Sequence, residues 1–212
     1  MVFARPSSSV WPQSALFRQV PSILTSHEGL DLRVFFAYTS PMTRPAARQT
    51  PSHEVRDLFL RLWAKELPTT RKVMERIPEG SDYRPDPKSR TAREIAWLIV
   101  REQVALVDGL ERGEIRWTEV PAPATVAEVL ALDSEQGVGL VDRLKALPAA
   151  AWDVPVPFTF EGNAIMTETG IESAWTFLLD VIHHRGQLSA YLRAMGSTVP
   201  QIYGPSADEP MM

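Results

Sequence analysis

The chain has 212 residues, a formal net charge of −4 and no cysteine, with 44% hydrophobic and 23% charged residues. This length can bury one real core with some chain to spare, and the composition is that of an ordinary globular protein. The missing cysteines exclude disulfides, thiolate zinc sites and cysteine nucleophiles. The acidic balance offers no footprint for nucleic acid or an anionic membrane, and no run of about 18 apolar residues is present to span a bilayer.

Residues 1–50 carry Arg5, Arg18, Arg33, Arg44 and Arg48 against only Glu28 and Asp31, among many Ser and Pro. They lack the clean apolar segment and small-residue cleavage site of a targeting peptide. They read as an unstructured extension in a cytoplasmic protein, with Met42 a natural alternative start. His27, in this extension, and His53 have no ligand-spaced neighbour and read as solvated.

The folded part is residues 51–212. From Ser52 to Ile77 the periodicity is helical, with Val55, Leu58, Phe59, Leu62 and Trp63 on one face. Pro68 lacks an amide hydrogen and is expected to kink or split this helix. Pro78–Arg90, with Gly80, Pro85 and Pro87, reads as a loop. Thr91-Ala-Arg-Glu94 is a capping-box pattern that opens a second helix, which runs to about Arg112 with Gly113 as its stop. After a Pro-rich loop at Val120–Ala124, a second capping box, Thr125–Glu128, opens a third helix to about Leu147, weakened at Gly137 and Gly139. Pro148–Asn163 reads as a long extended loop. A third capping box, Thr169–Glu172, opens the last helix, which ends at Met195 before Gly196. The tail Val199–Pro210 is expected to pack irregularly. Four helical segments without a convincing strand predict an all-α four-helix bundle.

The last helix carries the chemistry. In Phe177-Leu-Leu-Asp180-Val-Ile-His183-His184-Arg185-Gly186-Gln187-Leu188, an aspartate stands among apolar residues, where an unpaired carboxylate is costly. His184, four residues on, shares its face, so the two can bind one metal ion. Alternatively Asp180 orients His184 by a hydrogen bond, or caps a neighbouring helix. His183 points about 100° away and reads as a surface residue. Gly186 costs about 1 kcal/mol inside a helix, which suggests close approach of another helix. Arg185 reads as the partner of an acid on a neighbouring helix. Trp97, Trp175 and Phe177 fit either the core or a dimer interface.

The HRGQ element His183–Gln187, followed by Tyr191-Leu192-Arg193 and Tyr203-Gly204-Pro205-Ser206, resembles the C-terminal signature of the DinB/YfiT-like superfamily, as does Arg90–Trp97 at the start of helix two. The resemblance spans roughly Ser52 to Asp208. It implies a four-helix bundle, often a homodimer, with a divalent metal, commonly zinc or nickel, at the open end. The implied ligands are one histidine of the second helix and two residues of the last. The last-helix pair falls on Asp180 and His184. The second-helix histidine falls on Leu98, which has no lone pair to donate, so the site is degenerate. Glu102, one turn beyond on the same face, is the candidate third ligand, and also a candidate salt-bridge partner for Arg185 or a lysine.

Some relatives transfer or isomerise with low-molecular-weight thiols, which implies a metal-dependent S-transferase. The alternative is a non-catalytic bundle that binds a small molecule or acts as a dimeric partner. A DNA-binding role is opposed by the acidic balance and the lack of a basic helix.

Overall fold

The computed structural model describes residues 52–211. The expectations placed on residues 1–50, the extension, the alternative start and His27, lie outside them. Among the described residues are six helices and a three-stranded sheet: α1 (Ser52–Met74), α2 (Ala92–Arg112), β1 (Ile115–Trp117), α3 (Val126–Gly137), α4 (Leu140–Ala146), α5 (Ala149–Asp153), β2 (Pro155–Phe160), β3 (Asn163–Thr169) and α6 (Gly170–Ala194). No helix among them is long and apolar enough to cross a membrane.

The helix starts follow from local hydrogen bonding. In each capping box the threonine side chain accepts from the N3 amide while the N3 glutamate accepts from the threonine amide: Thr91 with Glu94, Thr125 with Glu128 and Thr169 with Glu172. Gly113 closes α2 at φ 75°, the left-handed geometry that glycine adopts without a Cβ penalty. Pro68 does not split α1. It lies on an exposed face, as does Ala64, whose carbonyl loses its helical partner there and remains open to water. The buried stripe of α1 is Phe59, Trp63, Glu66, Thr70, Val73 and Met74, whereas Leu58 is exposed.

Two expectations fail. The predicted third helix is two, α3 and α4, because the backbone turns out of the helix at Val138 and enters the left-handed region at Gly139, φ 76°. More importantly, the fold is not all-α. The stretch read as a loop holds α5 and β2, and β2 forms an antiparallel hairpin with β3. Its two-residue turn is Glu161-Gly162, both at positive φ as a type I′ turn requires. Pro155 and Pro157 argued against a strand, since proline cannot donate to a ladder. They are tolerated because β1 covers only Phe158–Phe160 of β2, in parallel register, leaving the proline half with β3 as its sole neighbour in the sheet.

The helices bury two apolar cores. One takes Val73, Met74 and Ile77 of the end of α1 and the residues after it, Ile95, Ala96, Ile99 and Val100 from α2, and Val181, Leu188 and Leu192 from α6. The other takes Phe59 and Trp63 from α1, Leu106, Val107 and Leu110 from α2, and Ala174 and Leu178 from α6, with β1, α4, α5 and β2 closing that end. On α1 and α2, buried polar residues stand between these blocks, Glu66 and Thr70 on the one and Glu102 and Gln103 on the other; α6 adds Arg185, between Val181 and Leu188 of the first core. A polar layer therefore crosses the middle of the bundle.

Candidate metal centre

The polar layer has two parts, one on each side of α6. Towards α2, His184 Nδ1 lies 3.2 Å from Glu102 Oε1 and 3.7 Å from Asp180 Oδ1. One ligand atom from each of Glu102, Asp180 and His184 lies within 4.8 Å of the others. Asp180 and His184 meet because they are one turn apart on α6. Glu102 meets them because it follows Ile95 and Ile99 along the buried stripe of α2.

Exposure grades across the three. The Glu102 side chain is 5% exposed and that of His184 15%, while Asp180 stands 53% exposed at the solvent edge. Asp180 is thus not the core carboxylate that its apolar neighbours suggested. The close approach of Glu102 and His184 lacks the alignment of a hydrogen bond. His184 Nδ1 and Glu102 Oε2 are both buried without a hydrogen-bond partner among the described residues. Unsatisfied groups of this kind are costly and rare in folded proteins.

The Glu102 carboxyl is pushed up to about 7, chiefly by burial; His184 opposes the rise and the nearby Asp180 adds to it. Burial opposes protonation of His184, but the Glu102 and Asp180 carboxyls outweigh it and hold the imidazole above its ordinary value. Two carboxylates and one imidazole thus converge with a net negative charge once Glu102 ionises.

Towards α1, the Arg185 guanidinium, 2% exposed, is consumed by other partners. One nitrogen donates to Glu66 Oε2 and, at 3.2 Å, to Thr70 Oγ1; the other donates to the Tyr203 hydroxyl. That hydroxyl donates in turn to Glu66 Oε2 at 3.0 Å. Arg185 therefore pairs with an acid on a neighbouring helix, but the acid is Glu66. The salt bridge considered between Glu102 and Arg185 does not form, and among the described residues His184 is the one cationic side chain paired with Glu102. The sequence carried a signal for Glu66 and Thr70 that a reading of the α1 face ending at Trp63 missed. They continue the buried stripe at helical spacing, and a glutamate in such a stripe needs a partner.

The remaining candidates fall as follows. Leu98 is half-buried one turn before Glu102 and supplies no donor. His183 is exposed, with its Nε2 2.9 Å from the Gln187 amide nitrogen. Trp175 and Phe177 are half-buried against the core closed by the sheet, and Trp97 against the other. Gly186 is not approached by another helix: a Cβ there would meet nothing within 4 Å among the described residues. Gly186→Ala is accordingly expected to raise stability by about 1 kcal/mol, read as a higher denaturant midpoint with an unchanged slope.

The donor chemistry fits a divalent ion. Carboxylate oxygen and imidazole nitrogen suit zinc, manganese and nickel alike, and three protein donors leave positions open towards the exposed Asp180 edge. The two buried atoms without a hydrogen bond, Glu102 Oε2 and His184 Nδ1, are groups such an ion would satisfy.

Comparison with known proteins agrees with this architecture. The sequence pattern of the DinB family matches residues 160–211, from the last residue of β2 through β3, α6 and the tail. Two solved structures are similar over most of their length: the DinB-like protein YjoA of Bacillus subtilis, at 20% identity and TM-score 0.54 over 70% of this chain and 97% of that one, and a DinB-like protein of Bacillus cereus ATCC 10987, at 20% identity and TM-score 0.54 over 69% and 97%. No curated protein matches the sequence. The described residues thus share the fold of DinB-like proteins, and residues 160–211 match the DinB family's sequence pattern.

Proposed function

We propose that this chain binds one divalent metal ion through Glu102, Asp180 and His184 and uses it to act on a low-molecular-weight thiol. The observation that supports the reading most is the pair of buried atoms without a hydrogen bond, Glu102 Oε2 and His184 Nδ1, in a three-donor cluster. The nearby buried cation cannot neutralise this cluster, because Arg185 is held by Glu66 on the far side of α6. A divalent cation would neutralise it in place of the protons that Glu102 and His184 otherwise hold.

When bound, a zinc or nickel ion supplies Lewis acidity, which favours the thiolate form of a thiol near neutral pH. The protein's own part is to present the donors. Glu102 and His184 hold the buried side, and Asp180 stands where a ligand enters from solvent. The HRGQ element and the DinB-like fold support the thiol class by analogy, and S-transfer to an electrophile is the reaction we infer, in a homodimer. A second reading, a non-catalytic small-molecule binder or dimeric partner, is favoured by Leu98, which leaves the metal without a histidine from α2.

Titration with Zn(II) and with Ni(II), followed by calorimetry, tests the proposal on wild type, His184→Ala and Leu98→His. Stoichiometric binding by wild type, lost in His184→Ala and tightened in Leu98→His, is the expected result. If only Leu98→His binds, the second reading replaces the first. A thiol-dependent S-transfer assay on the loaded wild type then tests the reaction.

A further inference from the structure

The buried ion pair on the far side of α6 invites a question of its own. Glu66, Thr70 and Arg185 are all buried, and burial of a charged pair costs free energy that an apolar pair of similar volume would not. Stability alone does not account for it, since well-packed apolar residues serve a core as well or better.

Its position suggests a different use. Arg185 is the residue next to His184, so the two side chains leave α6 about 100° apart. With Arg185 fixed on Glu66 and Thr70 of α1, His184 is turned towards Glu102 of α2. The fork has planar, directional geometry and resists both rotation and sliding of α6, where apolar side chains tolerate small shifts. Tyr203 closes it from the tail: its hydroxyl bridges Arg185 and Glu66, and its ring stacks on the guanidinium with 5.0 Å between the guanidinium carbon and the ring centroid. The tail is anchored independently, by Arg193 to Asp208 at 3.0 Å and by Arg76 to Glu209.

We propose that Arg185, Glu66 and Tyr203 are positioning residues that set the rotation of α6 and thereby aim His184 and Asp180 at Glu102. The inference rests on the metal reading for its consequence in affinity, and on the α6 geometry alone for its consequence in the metal-free protein. It makes the C-terminal tail part of the site's construction, through one tyrosine hydroxyl.

The test uses the double variant Glu66→Leu/Arg185→Met, which replaces the pair by apolar groups and leaves no buried charge alone, together with Tyr203→Phe. Two quantities are read in the full-length chain: Zn(II) affinity by calorimetry, and the His184 ring signals by NMR without metal, with His183 as the internal reference. The expected result is a double variant that melts at or above the wild-type temperature, yet binds Zn(II) about tenfold or more weakly and shows shifted or broadened His184 signals. Tyr203→Phe is expected to move both in the same direction by less. Unchanged affinity and unchanged His184 signals in a folded double variant would overturn the proposal. If wild type takes up no metal, the metal reading fails by itself. The His184 signals then decide the positioning claim: a shift in the double variant supports it, and wild-type signals refute it.

Discussion

Arg185→Ala is expected to destabilise the protein by about 3–5 kcal/mol, among the largest effects of any single substitution in this chain. The cause is less the lost attraction than what is left behind. Glu66 is 5% exposed, and among the described residues the Tyr203 hydroxyl is the one hydrogen-bond donor that the substitution leaves to it. A carboxylate so placed either takes up a proton or drags water into the core, and both cost free energy. Replacing both members by apolar residues removes this penalty, so the double variant Glu66→Leu/Arg185→Met should be far more stable than Arg185→Ala. Thermal melting of the two variants checks this directly. Equal losses in both would mean that packing around the arginine stem, and not its charge, carries the effect.

Glu102→Gln is expected to have the opposite sign. In the metal-free protein at pH 8 it should stabilise by about 2 kcal/mol, while abolishing metal binding. Glu102 is raised to about 7 and His184 is also raised, so the folded state holds both protons more tightly than the unfolded state. Their contribution to stability is complete below the unfolded values and is lost as pH rises through the folded ones. Metal-free wild type should therefore melt at falling temperature from pH 5 to pH 8. Glutamine removes the largest part of that slope. Divalent metal should reverse the slope in wild type, because the ion takes the place of the protons and binds more tightly as they leave. Melting curves at several pH values, with and without Zn(II), measure all three effects. A flat profile for metal-free wild type would contradict the electrostatic account of the centre.

Much of the helical frame was legible because its signals are local. Each threonine–glutamate capping box needs only four residues, and Gly113 only its own backbone geometry. Asp180 and His184 were legible for the same reason, being one turn apart on one helix. The β2–β3 hairpin was not, because Pro155 and Pro157 carry a strong local signal against a strand, and only the short reach of β1 makes them tolerable. Glu102 was legible as a candidate from its spacing to Leu98, but its neighbour was not. Whether it met Arg185 or His184 depended on the rotation of α6, and that rotation is tied to Glu66, more than a hundred residues away in sequence. Gly186 misled because a helical glycine marks close approach often enough to suggest it, whereas here the space above it is open.

The measurement that bears most directly on the central claim is the metal content, by elemental analysis, of full-length protein purified without chelators, alongside Glu102→Gln and His184→Ala. The account predicts close to one divalent ion per chain in wild type, and none in either variant while both remain folded. Wild type free of metal that also takes none up from excess Zn(II) or Ni(II) at pH 8 would contradict it.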